Sequence, residues 1–334
     1  MADKAKKIAI IGSGNIGRSW ALLFSCAEHL VCLCDNDPEQ LAGVVDDLRG
    51  QLSLLKSRGL SRGHLEPEQQ LKLITLSPDL AQCVQGADLI MECVPEVLEV
   101  KRQVLKAVDD VMSRDAIFSS STSSLLPSEL SEDLRHRDRF LVIHPTNPPF
   151  LARAVELVPA PWTSGDVMKR SRELMKQVGQ APITLKKEIP GFVLNRIQYA
   201  VLGESWRLLR DGVLDVEGIN NAVWSGLGPR YAFLGPFEVG HLNAAGWIEN
   251  YLQRYGDFIY RMQASMGEAG LMGGQLAEDV QKVLEADTPL DHIPCRRRWK
   301  DVRLAALAKL KQDLDTEERE RNEEGKSVPL PSDH

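Results

Sequence analysis

The sequence predicts an α/β N-terminal domain built on a doubly wound, mostly parallel sheet, followed by an all-α C-terminal domain. Three observations carry this reading. From Lys7 to about Leu185 short apolar runs alternate with helical stretches, a glycine-rich turn follows the first run, and after Pro190 no further strand pattern occurs. Strands joined through helices form parallel sheets covered on both faces. In such sheets ligands bind at the carboxyl ends of the strands.

Taken in order, the apolar runs are KIAII, LVCLC, DLIMECV, AIFSS, RFLVIHP, AVELVP and PITLK, with helices expected after the first run, from Pro38 and from Glu96. The stretch from Ser57 to Pro67 is rich in Gly, Ser and charge, so it reads as a loop or insertion and not as a domain boundary. The boundary is placed at Pro190, giving domains over residues 1–189 and 190–314. In the second, Val193, Ile197, Val201 and Leu208 form one stripe of a helix opening with Pro190 near its first turn, and Asn195 lies off that stripe. Breaks are expected at Gly212, at Gly226 to Pro229 and at Gly235-Pro236. Trp206, Trp224 and Trp247 read as core or subunit interface. Residues 315–334, with the run TEERERNEEGK, read as a polar, disordered tail.

Composition narrows the function classes. A chain of 334 residues has room for two domains, and 43% hydrophobic with 26% charged residues is an ordinary globular balance. The net charge of -7 argues against general affinity for nucleic acid or anionic lipid. The opening MADKAKKIAIIGSG has an apolar run too short for a signal or anchor, so a cytoplasmic protein without a membrane partner is expected. Six cysteines lack both the density of a disulfide scaffold and the spacing of a zinc site, so reduced, mostly buried thiols and no metal are expected.

Gly12-Ser13-Gly14-Asn15-Ile16-Gly17 follows KIAII directly and opens a helical run. In that context Gly12, Gly14 and Gly17 serve a tight turn, close approach of backbone to a pyrophosphate, and close packing of helix on strand. Asn15 and Ile16 then start the helix whose N-terminus faces the diphosphate. Asp35 ends the next strand, about twenty residues on, where a carboxylate accepts from a ribose 2′-hydroxyl and repels a 2′-phosphate. The cofactor expected is therefore NAD and not NADP. The competing reading is a glycine turn with Asp35 as a helix cap.

His144 ends the strand RFLVIH and is followed by Pro145, Thr146 and Asn147. Glu156 sits among Ala154, Val155, Leu157 and Val158, where an unpaired carboxylate would be costly to bury. A histidine is its natural partner. An imidazole titrating near neutral pH can take a hydroxyl proton, and a carboxylate beside it fixes the tautomer. A histidine at a strand end is otherwise a satisfied polar residue.

These residues resemble the 3-hydroxyacyl-CoA dehydrogenases over nearly the whole chain, through the glycine motif, EVLEVKR, STSSL, HPTNPP, VELV and PGFVLNR. The resemblance implies an NAD-binding Rossmann domain and a helical domain used for dimerisation. It implies His144 as general base with Glu156 as its orienting partner, and Ser123 and Asn147 holding the substrate oxygen and the imidazole. It further implies Asn195 reaching the substrate, and Glu96 and Lys101 at the nicotinamide ribose. Ser123 also reads as a helix cap, Asn195 as a link between helices and Lys101 as part of a solvated face. Pro145 and Thr146 stand where the acyl-CoA enzymes commonly carry two aromatics.

HPTNPPF, GFVLNRIQYA and LGPRYAFLGPFE are similar to the branch of the family that oxidises the 3-hydroxyl of L-gulonate. That substrate carries a carboxylate, for which Arg230 is the candidate cation, unless Arg230 only ties helices together. The alternatives are a 3-hydroxybutyryl-CoA or carnitine dehydrogenase, or a structural lens protein. The partners expected are a small hydroxy acid and a second copy of the chain.

Overall fold

A computed structural model describes residues 5–243, 247–268 and 270–323. By internal contacts the chain divides into one unit of Met1–Val193 with Arg297–His334 and a second of Leu194–Arg296.

The first unit runs β1 (Lys7–Ile11), α1 (Asn15–Cys26), β2 (Leu30–Cys34), α2 (Pro38–Ala42), α3 (Val44–Ser57), α4 (Pro67–Leu71), β3 (Ile74–Ser77), α5 (Leu80–Val84), β4 (Leu89–Glu92), α6 (Leu98–Val111), β5 (Ile117–Ser120), α7 (Pro127–Ser131), β6 (Phe140–Pro145), β7 (Ala154–Pro159), α8 (Gly165–Gln177) and β8 (Ala181–Thr184). The eight strands form one sheet in the order β3-β2-β1-β4-β5-β6-β7-β8. This is the doubly wound α/β fold, with strand order diverging from β1 in both directions. Strand β3, whose ITLS is too short and polar to stand out as an apolar run, was not anticipated and occupies the edge.

Alternate residues of β1 feed two apolar layers. Ile8 and Ile10 pack with Trp20, Leu23 and Phe24 of α1 on one face. Ala9 and Ile11 join Cys83, Leu105 and Phe118 on the other. A strand buried on both faces must be apolar at every position, which is why these segments read as continuous runs. Local caps set the helix starts: the Asp37 side chain accepts from Glu39 N–H, the Asp79 side chain from Gln82 N–H and the Ser164 hydroxyl from Val167 N–H.

All strand pairs are parallel except β6 with β7. Residues 146–153 are too few for a helical crossover, so the chain turns back on itself. Arg62, from the loop before α4, holds that turn: it donates to Phe150 O, lies over the Phe150 ring, and bonds Gln180, whose amide donates to Pro149 O.

The second unit contains α9 (Leu194–Arg210), α10 (Val216–Asn221), a π-helical turn (Ala222–Leu227), α11 (Gly228–Tyr231), α12 (Pro236–Leu242), α13 (Trp247–Ser265), α14 (Gly274–Asp287) and the start of α15 (Ile293–Glu323). Three sequence expectations are corrected here. Pro190 does not open α9, because Gly191 and Phe192 both hold positive φ (77° and 50°), which no α-helix admits. Gly226 to Pro229 do not break the chain, since the π-helical turn carries α10 into α11. Residues 315–323 are helical, with Arg321 and Glu317 paired one turn apart at 3.2 Å; residues 324–334 lie outside the described residues. No described helix is long and apolar enough to cross a membrane.

Candidate active site

The Gly12 turn is forced by space. Its φ is +106° and a Cβ there would lie 2.7 Å from Cys93 O, while a Cβ on Gly17 would lie 2.0 Å from Gly12 O. Helix and strand therefore meet at a distance that only two glycines allow. Gly14 is different: a Cβ there meets no atom within 4 Å, on the exposed N-terminus of α1, where no side chain caps the helix. The first-turn amides, with Asn15 and Ile16 beside them, are thus left for a ligand. An open backbone at an uncapped helix N-terminus fits a dinucleotide pyrophosphate.

Asp35 follows β2 and receives the N–H and hydroxyl of Ser13 on Oδ2 at 2.7 and 2.8 Å, and Asp37 N–H on Oδ1 at 3.1 Å. Burial pushes its carboxyl up, but these hydrogen bonds outweigh it and hold the group below its usual range. Ser13, fully buried, went unnoticed in the sequence because only the glycines of the motif carry a recognised spacing.

At the end of β4 lies a charged cluster. Glu92 is fully buried and receives Lys101 Nζ at 2.9 Å, the Ser120 hydroxyl at 2.5 Å and Val94 N–H at 2.6 Å. Burial raises its carboxyl above the usual value, with the Lys101 charge opposing. The Lys101 ammonium also meets Val94 O at 3.0 Å and Glu96 Oε2 at 3.3 Å. Its three N–H donors are thereby engaged, and Lys101 is buried beside Glu96, not part of a solvated face. Glu92 was missed, although an acid ending an apolar strand is the same signal that singled out Asp35.

Glu96 gathers the loop after β5. Its Oε1 accepts from the Thr122 hydroxyl at 2.6 Å and from the N–H and hydroxyl groups of Ser123 and Ser124. Burial raises the Glu96 carboxyl, while Thr122, Lys101 and the serines together bring it below its usual value. Because β5 lies between β4 and β6, this loop stands between Glu96 and the end of β6.

There His144 sits directly opposite Glu156 in the antiparallel register. The His144 Nδ1 to Glu156 Oε2 distance is 2.7 Å, with Glu156 fully buried and His144 9% exposed. A carboxylate only accepts, so in the neutral imidazole Nδ1 carries the proton and Nε2 is left with the lone pair. The other Glu156 oxygen, Oε1, accepts Val193 N–H at 2.7 Å. The buried Phe192 ring packs 5.7 Å from the imidazole. Its φ of 50° is a strained backbone costing about 1–3 kcal/mol, of a kind that persists where surroundings over-determine it. No sequence periodicity marks such a residue.

Asn147, whose peptide bond to Pro148 is cis, is exposed and makes no side-chain hydrogen bond among the described residues. Asn195 is the second residue of α9 and Arg230 is an exposed residue of α11, both in the second unit.

Comparison with known proteins adds three findings. Residues 7–189 match the 3-hydroxyacyl-CoA dehydrogenase NAD binding domain and residues 191–282 match the 3-hydroxyacyl-CoA dehydrogenase C-terminal domain. The chain is 43% identical over 309 residues to the lambda-crystallin homolog of Bos taurus, covering 92% of this chain and 96% of that one. It is 41% identical over 312 residues to the lambda-crystallin of Oryctolagus cuniculus, covering 93% and 98%. Among solved structures, FHMPC 5-dehydrogenase, an NAD+ dependent dismutase, shares the fold with a TM-score of 0.78 at 24% identity, over 93% of this chain and 99% of that chain.

Proposed function

The chain belongs to the 3-hydroxyacyl-CoA dehydrogenase family, and from that premise we propose that it oxidises the 3-hydroxyl of L-gulonate and related L-3-hydroxy acids. It is an NAD-binding oxidoreductase, and NAD, when bound, supplies the hydride acceptor. The observation that carries the reading is the His144–Glu156 pair at 2.7 Å, at a strand end of that fold.

In this proposal His144 Nε2 takes the hydroxyl proton as the carbon–hydrogen bond breaks. Glu156, held in place by Val193 N–H, keeps Nδ1 protonated and stabilises the imidazolium that results. Ser123 and Asn147 hold the substrate oxygen and the imidazole, and Glu96, which fixes the Ser123 loop, serves with Lys101 at the nicotinamide ribose. Gly12, Gly14, Asn15, Ile16 and Gly17 receive the pyrophosphate, and Asp35 the adenosine ribose. Asn195 and Arg230 are assigned to the substrate, Arg230 clasping its carboxylate. Exchanging Arg230 for methionine is expected to raise KM for hydroxy acids by roughly ten- to a hundredfold, the scale of a charged hydrogen bond, with KM for NAD unaltered. An unaltered hydroxy-acid KM removes Arg230 from this role.

For Asp35→Ala, KM for NAD should rise by roughly tenfold while KM for NADP falls or holds, because a ribose acceptor and a repulsive charge leave together. A preference for NAD equal to that of the parent would count against Asp35.

L-Gulonate is favoured over an acyl-CoA by the resemblance of HPTNPPF, GFVLNRIQYA and LGPRYAFLGPFE to the L-gulonate branch and by Pro145 and Thr146 in place of two aromatics. The test is NAD reduction by the purified protein with L-gulonate, L-3-hydroxybutyrate, 3-hydroxybutyryl-CoA and L-carnitine compared by kcat/KM. Preference for either of the last two overturns the substrate assignment.

The proposal includes a cytoplasmic homodimer. The second unit exposes Phe237 (83%), Trp247 (73%), Tyr260 (72%) and Trp224 (61%), an apolar excess that a second copy would cover. Sedimentation at the mass of one chain would overturn the dimer.

A further inference from the structure

Three thiols meet beneath the carboxyl end of β2. Cys32 and Cys34 point to the same side of the strand, and Cys83 of α5 lies against both within one apolar cluster. The Cys83 thiol donates to Cys32 O at 3.2 Å and packs with Cys32 and Cys34 in that cluster. Neither the proposed chemistry nor the core requires three sulfurs here, since alanine or valine would fill the same layer. All three are buried, Cys32 and Cys34 keeping 6% and 4% of their surface and Cys83 none.

We propose that Cys32 and Cys83 form a peroxide-oxidisable thiol pair whose disulfide weakens binding of NAD. The hydrogen bond from Cys83 outweighs burial and lowers the Cys32 thiol to about 6, so its thiolate is present near neutral pH. Hydrogen bonds to its two neighbours, with burial, push Cys83 up, which keeps it a protonated resolving thiol.

The Cys32 sulfur attacks one oxygen of hydrogen peroxide, the O–O bond breaks, and the departing oxygen leaves as water with a proton from solvent. Cys32 is then a sulfenic acid. The Cys83 sulfur displaces its hydroxyl, which leaves as a second water with the Cys83 proton, and the S–S bond forms. Two thiols are oxidised by two electrons in all, and one peroxide is reduced to two waters.

A disulfide requires sulfurs at about 2.05 Å, well inside any hydrogen-bonded separation. In a close-packed layer that contraction draws β2 and α5 together. The end of β2 carries the Cys34 carbonyl that receives Gly12 N–H at 2.8 Å and, one residue on, Asp35. The link to NAD therefore rests on the reading of Gly12 and Asp35 given above, whereas formation of the disulfide does not.

The full-length protein treated with hydrogen peroxide should yield, in a non-reducing peptide map, a Cys32–Cys83 linkage. KM for NAD should rise by roughly three- to tenfold, the scale of one lost hydrogen bond, and return on treatment with dithiothreitol. Cys83→Ala, and Cys83→Ser as a second variant, should bind NAD as the parent does and lose both responses. Linkage through the exposed Cys295 instead, no linkage at all, or the same rise in KM in both Cys83 variants overturns the thiol pair. Linkage with an unchanged KM overturns its coupling to NAD and leaves the Asp35→Ala result to judge the ribose contact separately.

Discussion

Turnover of the His144→Gln protein is expected to fall by roughly two to four orders of magnitude, the usual worth of a positioned general base. Glutamine can still satisfy Glu156 through its amide, so the β6–β7 pairing survives. It offers no group that accepts a proton near neutral pH. KM for NAD should stay near that of the parent, because the glycine turn and Asp35 lie on β1 and β2, three or more strands away in the sheet order. Steady-state kinetics with saturating NAD separates these outcomes. Turnover within a few-fold of the parent would remove His144 from the chemistry.

The second large effect is expected of a subtler change, Glu156→Gln, and its direction follows from the two oxygens having different partners. Val193 N–H donates to Oε1, so the carbonyl oxygen of a glutamine must stay on that side. Its NH2 then faces His144 Nδ1, where the parent carboxylate accepts. Two donors cannot share that contact, so the imidazole proton moves to Nε2 and the ring loses the lone pair that should take the substrate proton. A fall in kcat of roughly two to four orders of magnitude is expected, with little change in thermal stability. Full activity in a folded Glu156→Gln protein would show that the tautomer of His144 is irrelevant to turnover.

The contact of His144 with Glu156 was legible in the chain because each residue posed a problem that the other solves. A carboxylate among Val155, Leu157 and Val158 cannot be left alone, and the histidine ending the preceding apolar run is its natural partner. The same reasoning was available for Glu92 and Lys101, where the alternative reading of Lys101 as part of a solvated face fails. Spacing along α6 tells that Lys101 is on some face of a helix. That the face is a closed one, with its ammonium enclosed by Glu92, Glu96 and Val94 O, depends on how α6 lies over β4.

Phe192 and Val193 show the limit from the other side. Their importance comes from a backbone held at positive φ and from an amide aimed at Glu156, neither of which leaves a trace in periodicity. Ser13 was hidden for a related reason, being a motif position without a glycine's obligatory geometry.

By itself the sequence determined the alternation of strands and helices, the glycine turn with Asp35 after it, and the change to an all-helical second part. Those are local properties, set by burial on two faces and by backbone freedom at single residues. The tertiary structure alone decided that β7 runs against β6, which sets His144 across from Glu156, and that a lysine is buried to hold Glu96. Such outcomes depend on which segments become neighbours, and a short turn between strands or the packing of a helix on a sheet fixes that only once the chain is folded.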